Sequence, residues 1–386
     1  MKAFELPADQ IATIVSALVA DELGRRFRRR LDSLSAPSPA LDAALGVGGL
    51  GLSQEEIAAC ALRATAFFHA QTDEVDARPQ ATLAEWAGAL STAVRRRLVA
   101  FSFTAAGGAA RQPFDHLASD IFAEAAGVSS LIYGRRRLVS FVAPHSLLGF
   151  VLTVLAPNLQ QIPRLDARGM TPETLNETLA FGDVVVATPS IWRFLAQEGA
   201  RAPDNVIGVY FGEPMDAGLS SQLRTAGFSA QREIYGSTET GLIGWRDSPG
   251  RPFQLFDALL RNGDALERIG ADRERRKIEP PDHLEWRDAR SFEVGARRDG
   301  AVQIGAVNVF PIRIATVVEA HADVESCRID VGRHSGGFDR LIARIVLRDG
   351  LTPSEGRARS IDRHCRERLE PHERPRIYKF EDDAAE

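Results

Sequence analysis

Beyond Arg97 the apolar residues stop recurring at helical spacing and gather into short runs, and this change of period constrains the fold more than any other feature. Leu98 to Phe103, Leu138 to Ala143, Asp183 to Ala187 and Val206 to Phe211 are rich in Val, Leu, Ile or Phe. Between them lie segments of helical character such as Phe114 to Ala126 and Ser190 to Gln197. Runs this short and this apolar suit strands covered on both faces, and their alternation with helices predicts a layered α/β domain.

Around that core the chain divides into three expected regions. Residues 1–90 read as helices: Ile11 to Arg30 carries apolar residues three and four apart, and Ser53 to His69 opens on a serine cap, with a Pro/Ser break at Ser33 to Pro39 between them. Residues 91–297 form the large domain. Residues 298–386, with apolar runs at Val302 to Phe310, Ile312 to Ala320, Leu341 to Leu347 and Ile361 to Leu369, read as a small α+β domain. A chain of 386 residues, 44% hydrophobic, can give each domain its own core.

The charge balance narrows the partners. A net charge of -5 leaves no basic footprint for nucleic acid or an anionic membrane, and the basic run from Arg25 to Arg30 is short enough to read as a solvated helix face. Cys60, Cys327 and Cys365 are widely spaced and form no CxxC pair, which predicts neither a disulfide framework nor a zinc site and suits a reducing cytoplasm. No apolar run approaches the roughly 20 residues of a membrane span. Arginine supplies nearly all the positive charge, and the only lysines are Lys2, Lys277 and Lys379.

Tyr235-Gly236-Ser237-Thr238-Glu239-Thr240-Gly241 is the segment with the clearest chemistry. Its glycines let backbone approach a ligand, its hydroxyls can bind phosphate, and Glu239 can hold magnesium. An ordinary Gly-Ser turn is the bland alternative. The segment resembles the Tyr-Gly-x-Thr-Glu loop of the adenylate-forming superfamily, which includes acyl- and aryl-CoA ligases and peptide synthetase adenylation domains. The resemblance implies that Tyr235 faces adenine, that Gly236 and Ser237 lie against the nucleotide, that Thr238 binds the α-phosphate and that Glu239 coordinates magnesium.

Further segments resemble the family in the same order along the chain. Pro144 to Phe150 implies that His145 lies beside the carboxylate substrate, and Thr188 to Arg193 with Phe211-Gly212-Glu213 implies a pocket walled by Trp192, Phe211 and Gly212. Leu284 to Asp288 implies a ribose contact at Asp288, followed by a second at Arg297 and a hinge at Asp299. Gly305 to Pro311 resembles the start of the small domain. Taken singly, His145 and Trp192 are equally compatible with core packing, and Asp288 with a surface charge.

Two departures stand beside this likeness. The family's phosphate loop, approximately Thr-Ser-Gly-Ser-Thr-Gly-x-Pro-Lys, corresponds to Thr104 through Gln112, where Thr104, Gly107 and Gly108 are the expected nucleotide contacts, no further hydroxyl follows, and Gln112 replaces lysine. The C-terminal Gly-Lys turn of the family has no counterpart, and Lys379 is a possible substitute. Three readings therefore stay open. The first is an enzyme that activates an aryl or acyl acid with ATP and magnesium for transfer to CoA or a carrier protein. The second is a repurposed fold acting on a preformed thioester in secondary metabolism, and the third is an ATP-inactive scaffold that binds a carrier protein. The N-terminal region resembles an acyl carrier protein in which Gly49, within Leu45 to Leu50, occupies the position of the modified serine.

Overall fold

The computed structural model describes residues 6–31, 39–105, 113–263, 265–270, 272–304, 307–333 and 339–381. Gly107, Gly108, Arg111 and Gln112 lie outside them, as do Gly305 and Ala306.

Three helices open the chain: α1 (Ala8–Arg26), α2 (Gln54–Phe67) and α3 (Leu83–Arg97). The last two begin with reciprocal capping boxes. Ser53 Oγ accepts from Glu56 N at 3.3 Å while Glu56 accepts from Ser53 N at 2.7 Å. Thr82 and Glu85 repeat the arrangement at 3.2 and 2.9 Å. Each box satisfies two backbone donors that a helix start otherwise leaves bare.

The hairpin β1 (Ala100–Thr104) and β2 (Pro113–Leu117) is antiparallel, with Thr104 opposite Pro113 at the mouth of its connection. Then come α4 (Ala118–Leu131), β3 (Arg137–Ser140), α5 (Leu147–Phe150), a π-helical turn at Val151–Leu155, α6 (Ala156–Gln160), β4 (Arg164–Asp166), α7 (Pro172–Thr178), β5 (Asp183–Val186), α8 (Pro189–Gln197), β6 (Val206–Phe211), α9 (Ala217–Thr225) and β7 (Phe228–Ser237). The chain reverses into β8 (Gly241–Arg246) and β9 (Phe253–Leu255), forms the three-stranded sheet β10 (Leu259–Asn262), β11 (Ala265–Ile269) and β12 (Arg275–Ile278), and leaves through β13 (Asp282–Trp286) and β14 (Ser291–Arg297).

The main sheet has the order β13-β14-β9-β8-β7-β6-β5-β3-β4. Strands β3 to β7 are parallel, and pairing becomes antiparallel from β7 to β8 onward. Successive side chains of a strand face opposite sides, and the core divides accordingly. Val184 and Val186 of β5, with Ile207, Val209 and Phe211 of β6, enter one cluster; Val185, Val206 and Tyr210 enter the other. A parallel sheet covered on both faces explains why these strands read as unbroken apolar runs.

Residues 1–90, expected as a separate helical region, share the first of these clusters. Phe67 at the end of α2 packs its ring 5.1 Å from Phe103, 5.9 Å from Phe101 and 5.6 Å from Phe150. Met1–Ala105, Gln112–Pro280 and Trp286–Glu293 form the larger unit, so that the β13–β14 hairpin is shared with the smaller one, which takes Pro281–Glu285 and resumes at Val294. The smaller unit contains β15 (Val302–Ile304), β16 (Val307–Val309), α10 (Pro311–Glu319), β17 (Val324–Arg333), β18 (Asp339–Leu347), α11 (Glu355–Arg368) and β19 (Ile377–Glu381). Its core joins Ile314 and Val318 to Leu341, Ala343, Ile345 and Ile361. Lys379 lies exposed on β19, opposite Arg344. No described helix is long and apolar enough to cross a membrane.

The turn around Gly49 is closed by its own backbone. Leu50 N donates to Ala44 O at 2.7 Å and Gly46 N to Pro79 O at 2.7 Å, and a Cβ on Gly49 would overlap the Ala44 carbonyl and lie 2.6 Å from its nitrogen. Gly49→Ser is therefore expected to lower stability by about 1–3 kcal/mol, as overpacked sites do, in urea unfolding of the purified chain. Mass spectrometry of the same variant after treatment with a phosphopantetheinyl transferase is expected to show no added mass.

Candidate active site

Four segments leave the carboxyl ends of parallel strands: His145 after β3, Ser190 after β5, Gly212 and Glu213 after β6, and Ser237 to Thr240 after β7. Open parallel sheets place ligands at such strand ends. In this sheet the pairing also changes from parallel to antiparallel at β7, on the 235–241 loop itself.

That loop is the tight turn between β7 and β8. Gly236 faces Gly241 and Leu242 so closely that a Cβ would come 2.5 Å from Gly241 O. Gly241 adopts φ +76°, and a Cβ there would overlap Glu124 Oε1 and lie 2.9 Å from Arg268 Nη2. Only glycine meets both demands. Inside the turn, Ser237 Oγ accepts from Thr240 N at 3.2 Å and lies 2.9 Å from Thr240 Oγ1. Beneath it, Arg268 of β11 pairs with Glu124 of α4 and donates to Thr240 O at 2.8 Å. Burial pushes the Glu124 carboxyl above its ordinary range, while the Arg268 charge pulls it back.

From the side, His116 Nε2 lies 2.7 Å from Thr238 O. A carbonyl only accepts, so this nitrogen carries the proton. Burial holds the His116 imidazole below its ordinary value, outweighing the bond to Thr238. With Ser237, Thr240 and two carbonyls engaged, the Thr238 hydroxyl and the Glu239 carboxylate remain half-buried at the crest without a partner among the described residues. Among the described residues no cluster of three or more His, Cys, Asp or Glu could hold a metal. Magnesium, however, is commonly held by one or two carboxylates together with substrate phosphates, and the bare Glu239 fits that mode.

The other expected site residues are distributed unequally. Tyr235 packs 5.5 Å from Phe253 and 5.7 Å from Phe292 at the base of the loop. Gly212 follows the buried Phe211 with φ +92°, and Glu213 accepts from both the backbone and the hydroxyl of Ser190. His145 Nε2 lies 3.7 Å from Asp21 of α1, and its Nδ1 is sealed from solvent without a partner. Burial alone would raise the Asp21 carboxyl; the neighbouring His145, then the charges of Arg25 and Arg63, outweigh it and hold it low. Thr104 Oγ1 accepts from Arg63 Nη1 of α2 at 2.7 Å.

Two more expected site residues have their own local partners. Trp192 is wholly buried, edge-on to Phe228 at 4.9 Å and beside Gly208. Asp288 is exposed, with both its oxygens engaged in the β13–β14 turn. They accept from Ser291 Oγ at 2.6 Å, Ser291 N at 2.7 Å and Arg290 N at 2.7 Å, and the Ser291 hydroxyl above all holds its carboxyl low. In the smaller unit Arg297 grips Asp299 with two bonds of 2.9 and 2.6 Å, and Asp299 also accepts from Ala301 N.

Ser102, His69 and Asp115 also meet, on the β1–β2 hairpin. His69 Nε2 faces both Ser102 at 3.2 Å and Asp115 at 3.3 Å, whereas a nucleophilic triad needs the carboxylate on the other ring nitrogen.

No family model matches the chain. It is 27% identical over 336 residues to a 4-coumarate--CoA ligase of Cereibacter sphaeroides, covering 84% of this chain and 79% of that one. It is 26% identical over 375 residues to a 4-coumarate--CoA ligase of Halorhodospira halophila, covering 96% and 95%. Among solved structures, an amide bond synthetase from Marinactinospora thermotolerans superposes with a TM-score of 0.58 at 13% identity, over 96% of this chain and 90% of that one. The o-succinylbenzoate CoA synthetase of Bacillus subtilis superposes at 0.54 and 17% identity, over 71% and 64%. The layered sheet with its 235–241 turn is the fold of adenylate-forming ligases. In sequence the chain is similar to 4-coumarate--CoA ligases, and in fold to adenylate-forming ligases.

Replacing Arg268 by Met leaves Glu124 buried and unpaired, and a loss of about 3–5 kcal/mol is expected in urea unfolding. For His116 the folded value lies below the ordinary 6.5, so the unfolded chain takes up the proton first. Its contribution is complete above about pH 6.5 and declines as the pH falls. The thermal midpoint is expected to drop more between about pH 7.5 and about pH 5.5 in the parent than in His116→Gln, which donates to Thr238 at every pH.

Proposed function

We propose that the protein activates an aryl or acyl carboxylic acid with ATP and magnesium and passes it to CoA or a carrier protein. The observation that carries this reading is the state of the 235–241 loop. Its inner groups are locked by Ser237, His116 and Arg268, while Thr238 and Glu239 stand bare at the crest. A turn built only for stability would have no need to hold a carboxylate away from every donor nearby.

On this reading Thr238 donates to the α-phosphate, Thr104 contacts the phosphate chain, and Tyr235, Gly236, Ser237 and Gly212 lie along the nucleotide. Glu239 would hold magnesium, whose charge offsets that of the phosphates. A carboxylate oxygen of the acid forms a bond to the α-phosphorus as the bond to pyrophosphate breaks; a thiol then attacks the acyl carbon and AMP leaves with the bonding electrons. His145, oriented by Asp21, would face the acid. Arg297 and Asp299 remain proposed as a ribose contact and a hinge.

The loss of hydroxyls after Thr104 favours a second reading, in which the fold acts on a preformed thioester. Pyrophosphate exchange into ATP with a panel of aryl and acyl acids separates the two. Exchange is expected with at least one acid and is expected to fall by about a hundredfold or more in Glu239→Ala. Absence of exchange with every acid, together with no calorimetric heat on adding ATP and magnesium, would sink the adenylation reading.

A further inference from the structure

Most half-buried arginines of the larger unit meet a carboxylate: Arg268 has Glu124, Arg246 has Glu233, Arg137 has Asp183 and Arg164 has Asp166. Arg135 and Arg63 form no such ion pair among the described residues; Arg135 is bound by Asn205 instead, and Arg63 by a residue of the expected phosphate loop. Half-buried on α2, Arg63 has its Nε sealed from solvent and unpartnered, and among the described residues no carboxylate forms an ion pair with it. The acids nearby are engaged elsewhere. Asp21 is bound by Arg25 at 3.0 Å and faces His145, and Glu22 is bound by Arg25 at 2.9 Å.

Withdrawing a guanidinium from water without a directly paired counter-anion is unfavourable, and arginine does not escape by losing its proton. Burial, then the like charge of Arg25, lowers its affinity for that proton, against the opposing charges of Asp21 and Glu22, which act without forming an ion pair with it. An anion that arrives with the ligand can pair with it directly. The hydrogen bond of Arg63 shows where: its Nη1 donates to Thr104, the last residue of β1. Between Thr104 and Pro113 the sequence has Arg111 but no lysine and no further hydroxyl.

We propose that Arg63, delivered from the N-terminal helices to Thr104, is the cation that receives the phosphate chain of the nucleotide. The proposal rests on the adenylation reading and adds to it a residue from outside the resembling segments. A guanidinium can offer two parallel donors to a phosphate, which a single ammonium does not.

Calorimetric titration of the full chain with ATP and magnesium, with AMP and with inorganic tripolyphosphate tests it, using Arg63→Met and Arg63→Lys. Arg63→Met is expected to weaken ATP and tripolyphosphate by about 10- to 100-fold and AMP much less, with Arg63→Lys in between. Because a half-buried charge without a direct ion pair is removed, the thermal midpoint of unliganded Arg63→Met is expected to stay level or rise. A midpoint that falls by more than roughly 4 °C makes Arg63 a packing residue and overturns the proposal, as does ATP affinity equal to the parent's. A parent chain that binds tripolyphosphate through Arg63 but no ATP overturns the adenylation reading alone. A parent that binds neither overturns both.

Discussion

Glu124 on α4 and Arg268 on β11 are separated by 144 positions in the chain, yet they meet beneath the turn that joins β7 to β8, both almost wholly withdrawn from water. Such a pair returns its desolvation cost only if every remaining donor finds an acceptor. Arg268 finds them in the carbonyls of Thr240 and Leu242, which are backbone atoms of the candidate loop. The pair therefore fixes the path of the loop as well as its own geometry. Gly241 is glycine because the carboxylate occupies the space a Cβ would need.

The same logic extends to the N-terminal helices. Phe67 of α2 packs on Phe103 of β1, Phe103 packs 5.9 Å from the His116 ring of β2, and His116 binds the Thr238 carbonyl. A continuous series of packed rings thus runs from α2 to the crest of the loop. Interiors this dense transmit displacement rather than absorb it. The helices that resemble an appended carrier module are, in physical terms, part of the scaffold of the site, and the turn at Gly49 is closed by backbone with no position for a modified side chain.

The layered sheet was legible because strands buried on both faces leave a direct mark, as in Asp183 to Ala187 and Val206 to Phe211. The 235–241 loop was legible because its glycines and its carboxylate answer to local geometry and ligand chemistry. Arg268, Glu124, His116 and Arg63 were not, since each acts through a partner distant in sequence, and an arginine that binds a backbone carbonyl looks like any other in a chain so rich in them. Asp288 and Trp192 were ambiguous for the opposite reason. Aspartate suits a turn as well as a ribose, and tryptophan suits a core as well as a pocket, so order along the chain could not choose between the roles; the structure adds the hydrogen bond of Ser291 to the one and the ring of Phe228 to the other.

The scarcity of lysine then acquires a physical meaning. On the adenylation reading, a phosphate loop without lysine or further hydroxyls forfeits several charge-assisted bonds, each contributing about 1.5–3 kcal/mol. One guanidinium from α2 can restore two such bonds and no more. The balance of the affinity has to come from Thr238 and Glu239, the groups that the Glu124–Arg268 pair and His116 hold in place. A site arranged in this way depends less on a flexible loop closing around phosphate and more on a rigid turn already in position, which is where the packing of this chain concentrates its buried charge.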